Sequence, residues 1–178
     1  MDILLAILAA LAAMVLLVLL LAARKPPIFR IERRILVAAP PSAVYAVVGD
    51  FSRSREWSPW EQLDPQMTRR LTGTPDAVGA VYEWDGDKSV GAGRQEIVEK
   101  QEDRLVRVRI DFHRPMNATN TVDYTLRPVS GGTEVSWAMY GPNPLMSRVM
   151  GLFVNIDRMV GRDFERGLAS LKRLVEGG

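Results

Sequence analysis

The sequence predicts an α+β protein in which a curved antiparallel sheet wraps around one long C-terminal helix, with a separate apolar helix at the N-terminus. Three observations predict it. Between residues 144 and 175, Leu145, Val149, Leu152, Ile156, Val160, Phe164, Leu168, Leu171 and Val175 recur at steps of three or four. That spacing lays one apolar stripe along an α-helix of about eight turns. Upstream, several segments alternate apolar and polar residues, as in a sheet with one dry face and one wet face. Ahead of both, Ile3 to Ala23 is an unbroken apolar run of 21 residues.

As a helix, the N-terminal run reaches roughly 30 Å, enough to cross the hydrocarbon of a bilayer. A secretory leader opens on positive residues and has a shorter apolar core, whereas here Asp2 precedes the run and Arg24-Lys25 follow it. A core helix would carry a polar face, and this run has none. The expected division is therefore a membrane anchor over residues 1–25 and a domain over 26–178. Arg24, Lys25, Arg30, Arg33 and Arg34 all follow the span, so the positive-inside rule places the N-terminus outside and the domain in the cytoplasm. Pro26 and Pro27 stop the helix and form a stiff spacer.

The domain opens with a strand from Phe29 to Ala38. Ser42, after Pro40-Pro41, is the expected N-cap of a helix over 43–48. A second helical piece covers Ser52 to Trp57, and Pro59 and Pro65 enforce loop structure with a turn at 61–63. Six strands follow: Met67 to Thr72, Ala80 to Asp85, Gly93 to Lys100, and the runs carrying Val106-Val108-Ile110-Phe112, Val122-Tyr124-Leu126 and Val135-Trp137-Met139. Asp85-Gly86-Asp87 is read as a tight hairpin. Gly151, Gly161 and Gly167 let the long helix bend or another backbone approach it.

Composition excludes several chemistries. The 178 residues contain no cysteine, which removes disulfides, thiolate metal sites and a Cys nucleophile. A formal net charge of +2, with acidic and basic residues interleaved, gives no electrostatic footprint for nucleic acid. No metal or other cofactor is expected. Asp85-Gly86-Asp87 with Glu96 puts Val90 where a calcium loop needs glycine, and Gly91-Ala92-Gly93 lacks the strand-to-helix setting of a dinucleotide loop. His113, the single histidine, shares the register of Arg107, Arg109 and Asp111, points to solvent and has no triad partners.

The apolar register instead collects cavity-lining candidates. Tyr82, Trp84, Phe112, Tyr124, Trp137 and Met139 come from the strands, and Phe153, Ile156, Met159 and Val160 from the helix. Trp57 and Trp60 close one end. Large aromatics with one polar atom both fill space and orient a ligand. Asp163 falls inside the apolar stripe, where a carboxylate is costly unless paired. Its expected role is to accept bonds from backbone or loop groups and fix the helix to the sheet or to the Trp57–Trp60 loop, and its alternative role is to orient a ligand or act as a base. Asp157 lies at the edge of the same stripe.

This order of elements resembles the helix-grip fold of the superfamily that takes in START domains, the birch-pollen-allergen family and polyketide cyclases. Within it, Asp50-Phe51 through Trp57-Ser58-Pro59-Trp60, then Leu63-Asp64-Pro65, are similar to the bacterial polyketide cyclase/dehydrase-like branch. So are Val78-Gly79-Ala80-Val81-Tyr82-Glu83-Trp84 and the run from Met150-Gly151-Leu152-Phe153 to Phe164-Glu165. The resemblance covers Ile28 to Glu176 and implies a hydrophobic cavity between sheet and long helix. The expected function is a membrane-tethered module, held by residues 3–23, that binds a lipophilic small molecule such as a lipid, a quinone or a polyketide-like compound. The alternatives are a cyclase or dehydratase, with Asp163, Asp157, Glu61, Tyr82 and Tyr124 as its possible acid–base groups, and a ligand-free protein-interaction module with a filled core.

Overall fold

A computed structural model describes residues 2–177. The apolar run forms α1 (Asp2–Ala23), and the domain opens with β1 (Ile28–Val37) and α2 (Pro41–Val48). A 3-10 turn (Phe51–Arg53), the single-turn helix α3 (Ser54–Trp57) and a second 3-10 turn (Pro59–Gln62) follow. The sheet is completed by β2 (Thr68–Thr72), β3 (Val81–Asp85), β4 (Ala92–Gln101), β5 (Leu105–Arg114), β6 (Ala118–Val129) and β7 (Gly132–Pro142). Two helices, α4 (Leu145–Phe153) and α5 (Ile156–Glu176), end the chain.

All seven strands make one antiparallel sheet in the order β1-β7-β6-β5-β4-β3-β2. The helical stretch after β1 carries the chain to the far edge, and the remaining strands meander back until β7 pairs with β1. Alternation then does what its period requires. In β5, Val106, Val108 and Ile110 are buried while Arg107 and Arg109 are more exposed, and β6 repeats this with Val122, Tyr124 and Leu126. Phe164, Leu168 and Leu171 of α5 press onto that dry face and are almost wholly buried. The wet face is held by cross-strand charge pairs such as Arg107 with Asp123 at 2.7 Å.

The expected single C-terminal helix is two helices. Val154 is extended, and Asn155 restarts the chain as the N-cap of α5, its side chain accepting from the Arg158 N–H at 2.9 Å. The apolar spacing runs through this break undisturbed, so periodicity had no means of registering it. No glycine makes the bend. Gly161 instead lies under the Arg33 guanidinium, which bonds Asp157 at 2.9 Å and Glu165 at 2.8 Å and so ties α5 to β1. That bond holds the Asp157 carboxyl below its ordinary range, against a smaller opposing effect of burial.

Two local expectations also differ. Ser42 does not cap α2, because the helix starts two residues earlier, with Pro40 at the cap and Pro41 in the first turn. The Asp85-Gly86-Asp87 stretch does not close a tight hairpin. Residues 86–91 form a wider loop, in which the Asp64 carboxylate accepts from Asp87 N at 2.9 Å and that of Asp87 from Ser89 N at 2.7 Å.

The α1 helix is long and apolar enough to cross a membrane, with mean hydropathy 3.3. Its side chains are exposed along nearly its whole length, with Ala22 fully buried near its C-terminal end. It is not a core helix of the domain.

Candidate functional site: a cavity beneath the C-terminal helix

Between the dry face of the sheet and α5 lies a cavity of about 200 Å³. It exists because large rings brace the two layers apart. Trp137 of β7 stacks on Phe164 of α5, with centroids 4.3 Å apart and planes 8° from parallel. Trp57 and Trp60 meet Trp137 edge-on at 5.2 and 5.6 Å, and Trp57 meets Tyr124 at 5.7 Å. Such offset and edge-to-face contacts make a stiff wall. Gly167 lets α5 come down onto this cluster: a Cβ there would stand 2.6 Å from the Trp137 ring and 2.9 Å from Pro59.

The structure places Trp57, Trp60, Tyr82, Trp84, Phe112, Tyr124, Trp137, Met139, Val160 and Asp163 on the cavity wall. Phe153, Ile156 and Met159 are not on it. The break at 154–155 turns α4 away from the sheet and leaves Phe153 76% exposed, Ile156 lies in an outer groove, and Met159 is on the outer face of α5 beside Arg158 and Arg162. Asp163 does reach the wall, but its partner is Arg166, one turn along its own helix, and not the sheet or the Trp57–Trp60 loop. His113 is exposed, as its register predicts.

The polar end of the cavity is set by residues that carry weak sequence signals. Glu61, in the 3-10 turn after the Trp57 loop, is buried and accepts both the Tyr82 hydroxyl and the Arg69 Nε–H, the latter at 2.7 Å. Arg69 also donates to the carbonyl of Met67 at 2.6 Å, which fixes the guanidinium. Burial, reinforced by the Glu61 carboxylate, pushes the Tyr82 phenol above its ordinary pKa, so it stays a hydrogen-bond donor. Burial does the same to Tyr124. Gln95 is the cross-strand partner of Tyr82, shares its face and lines the cavity with Ser54 and Ser58. Its signal was alternation: Gln95 sits between Gly93 and Ile97 in the inward register of β4. Glu61 gave no such signal, because it lies in a loop and its partners come from two other elements.

The arrangement is therefore a small apolar chamber with one hydrogen-bonding end, and among the described residues no acidic or histidine cluster suited to a metal accompanies it. Its walls can hold a hydrophobic body while Tyr82, Glu61 and Gln95 orient a polar group.

A family model described as "Polyketide cyclase / dehydrase and lipid transport" matches residues 29–176. No curated protein is similar enough to the chain to be matched with it. Solved structures share the fold. Protein CV1439 from Chromobacterium violaceum is 19% identical with a TM-score of 0.58, covering 85% of this chain and 99% of its own. The Aha1 dimer from Colwellia psychrerythraea is 16% identical with a TM-score of 0.60, covering 83% and 96%. The di-domain ARO/CYC StfQ from the steffimycin biosynthetic pathway is 12% identical with a TM-score of 0.59, covering 84% of this chain and 51% of its own.

Proposed function

The chain belongs to the polyketide cyclase/dehydrase and lipid transport family, and from that premise we propose that it is a membrane-tethered binding module for a compact lipophilic molecule bearing one polar group. The observation that carries this reading is the partly enclosed cavity under α5, with its aromatic walls and its Tyr82–Glu61–Gln95 end. Size narrows the cargo. At about 200 Å³ the cavity is below the roughly 300–1,000 Å³ of pockets for drug-sized ligands. A one- or two-ring quinone-like or polyketide-like body suits it, whereas a two-chain lipid does not. The α1 helix supports the tether, since it would hold the cavity beside the phase into which such molecules partition and raise their local concentration.

A cyclase-type reading has one observation in its favour, the buried Glu61–Tyr82 pair on the cavity wall. In it Tyr82 would supply a proton and Glu61 would recover it. The binding reading is preferred because both carboxylate oxygens of Glu61 are already engaged, one by the Tyr82 hydroxyl and the other by the Arg69 guanidinium.

The test is titration of the full chain in detergent with 1-tetralone and with tetralin, two bodies of nearly equal size that differ by a carbonyl, followed by quenching of Trp57 and Trp137 fluorescence. The expected result is saturation with both and about fivefold tighter binding of the ketone, the worth of one hydrogen bond. Gln95→Leu should erase the difference. Absence of saturation with either compound would overturn the reading.

A further inference from the structure

The feature left unused by the cavity is the α4 corner. Among its residues Met146, Met150 and Phe153 recur at steps of four and three, so they share one face of the helix. Met146 is 71% and Phe153 76% exposed, and Val154, next in the chain, is exposed as well. A contiguous apolar surface of this kind marks a contact site on a soluble domain.

What covers it is indicated by where α4 is fastened. Lys25 Nζ donates to the Gly151 carbonyl, and Arg148 reaches the carbonyls of Ala23 and Lys25, each at 3.5 Å. Asn143 closes the other side, its N–H donating to the Pro27 carbonyl at 2.7 Å and its side chain to that of Pro26 at 3.0 Å. Along α1, Val18 and Ala22 are less exposed than their neighbours, Ala22 being fully buried. They lie one turn apart, roughly 6 Å along the axis. The α4 helix is thus pinned to the end of a helix long enough to span a bilayer, and interfacial amphipathic helices lie about 5–10 Å into the boundary at which such a span ends. Exposed Arg24, directly after α1, suits anionic headgroups.

Beside α4 a groove of about 870 Å³ runs from this corner to the end of the sheet. Phe112, Met139 and Val160 line both the groove and the inner cavity. These three side chains therefore stand between the chamber and a groove whose α4 wall runs from Ser147 and Arg148 to Leu152 and Phe153, with Phe153 shared between the groove and the exposed apolar face.

We propose that the Met146–Met150–Phe153 face of α4 lies in the bilayer surface, and that the groove beside it is the portal through which lipophilic cargo passes from the lipid to the cavity. This rests on the tethered-binding reading above and adds the element that meets the lipid, together with the gate formed by Phe112, Met139 and Val160.

Because the chain has no cysteine, single cysteines placed by substitution report their surroundings without background. Leu16→Cys, Phe153→Cys and Ser130→Cys, each labelled with an environment-sensitive fluorophore, are compared in full-chain proteoliposomes of phosphatidylcholine and phosphatidylglycerol carrying nitroxide lipids. The expected result is strong quenching by deep nitroxides at 16, strong quenching by headgroup-level nitroxides at 153, and none at 130, on the β6–β7 turn at the opposite end of the sheet from the start of β1. Quenching at 16 without quenching at 153 would overturn the portal and leave the tether standing. No quenching at 16 would overturn both. A second arm follows transfer of 1-tetralone from vesicles: Phe153→Glu should slow uptake about tenfold by expelling the face from lipid, with affinity in detergent unchanged. An equal loss in detergent would show that Phe153 serves the cavity and not a portal.

Discussion

Gly167 is the position at which the cavity can be perturbed with least ambiguity. Its Cα faces the Trp137 ring from α5, and a methyl group added there stands 2.6 Å from one ring carbon, 3.3 Å from another and 2.9 Å from Pro59. Ordinary contact is about 3.4–4 Å, so the ring has to retreat by roughly 1 Å. Pro59 is rigid and Phe164 is stacked behind Trp137, which leaves the cavity as the open direction. Overpacking of this kind costs about 1–3 kcal/mol, and replacing glycine by alanine in a helix returns up to about 1 kcal/mol. Gly167→Ala should therefore destabilise the chain by about 1 kcal/mol, read as a lower Tm of the full chain in detergent. Its effect on binding should exceed its effect on stability, because the displaced ring fills a cavity of only about 200 Å³: 1-tetralone affinity should fall about tenfold. Gly151→Ala is the control, since only the flexible Lys25 ammonium comes within 3.3 Å, and it should be neutral or stabilising by up to about 1 kcal/mol. A Gly167→Ala protein of undiminished stability and unchanged affinity would refute both the packing argument and the cavity reading.

Glu61→Gln should lower stability by about 3 kcal/mol, since it leaves the largely buried Arg69 guanidinium without its carboxylate, and thermal unfolding will show whether it does. If Glu61 serves binding and not chemistry, the variant should still take up 1-tetralone. Acid should unfold the protein in part through Glu32. Burial alone would raise that carboxyl, but bonds from Arg34, Arg30 and Ser136 outweigh it and bring it to about 2. A carboxyl depressed in the folded state stabilises above its unfolded value of 4.5, and that stability drains away as pH falls from there towards 2. Glu32→Gln should flatten the fall of Tm over this window.

The parts of the fold that depend on near neighbours were legible. Alternation identified β5, β6 and β7 with the correct inward faces, because each strand's pleat sorts its own side chains whatever lies opposite. The inward aromatics Tyr82, Tyr124 and Trp137 followed from the same sorting. The spacing in the C-terminal stretch identified the buried face of α5 through Phe164, Leu168 and Leu171. It misjudged Phe153 and Ile156 because the apolar spacing continues across the break, and Met159 because an apolar side chain beside the stripe was taken to face inward although it lies on the outer side of α5. The only local trace was Asn155, a residue whose side chain favours a helix start. Glu61 illustrates the opposite limit. Nothing near it in sequence marks a buried carboxylate, since its hydroxyl partner Tyr82 is 21 residues away and its guanidinium partner Arg69 is 8 residues away.

The sequence by itself determined the apolar N-terminal helix, the order of strands and helices, and which side of each strand is dry, all of which are set by residue type and local period. Only the tertiary structure decided that the long helix breaks at Val154–Asn155, that α4 is fastened to the end of α1, and that a chamber survives between α5 and the sheet. The reason is range. Arg33 finds Asp157 across 124 residues, and a cavity is the small difference between the space enclosed by a curved sheet and the volume of the side chains that fill it. Neither quantity is carried by any stretch of chain short enough to have a period.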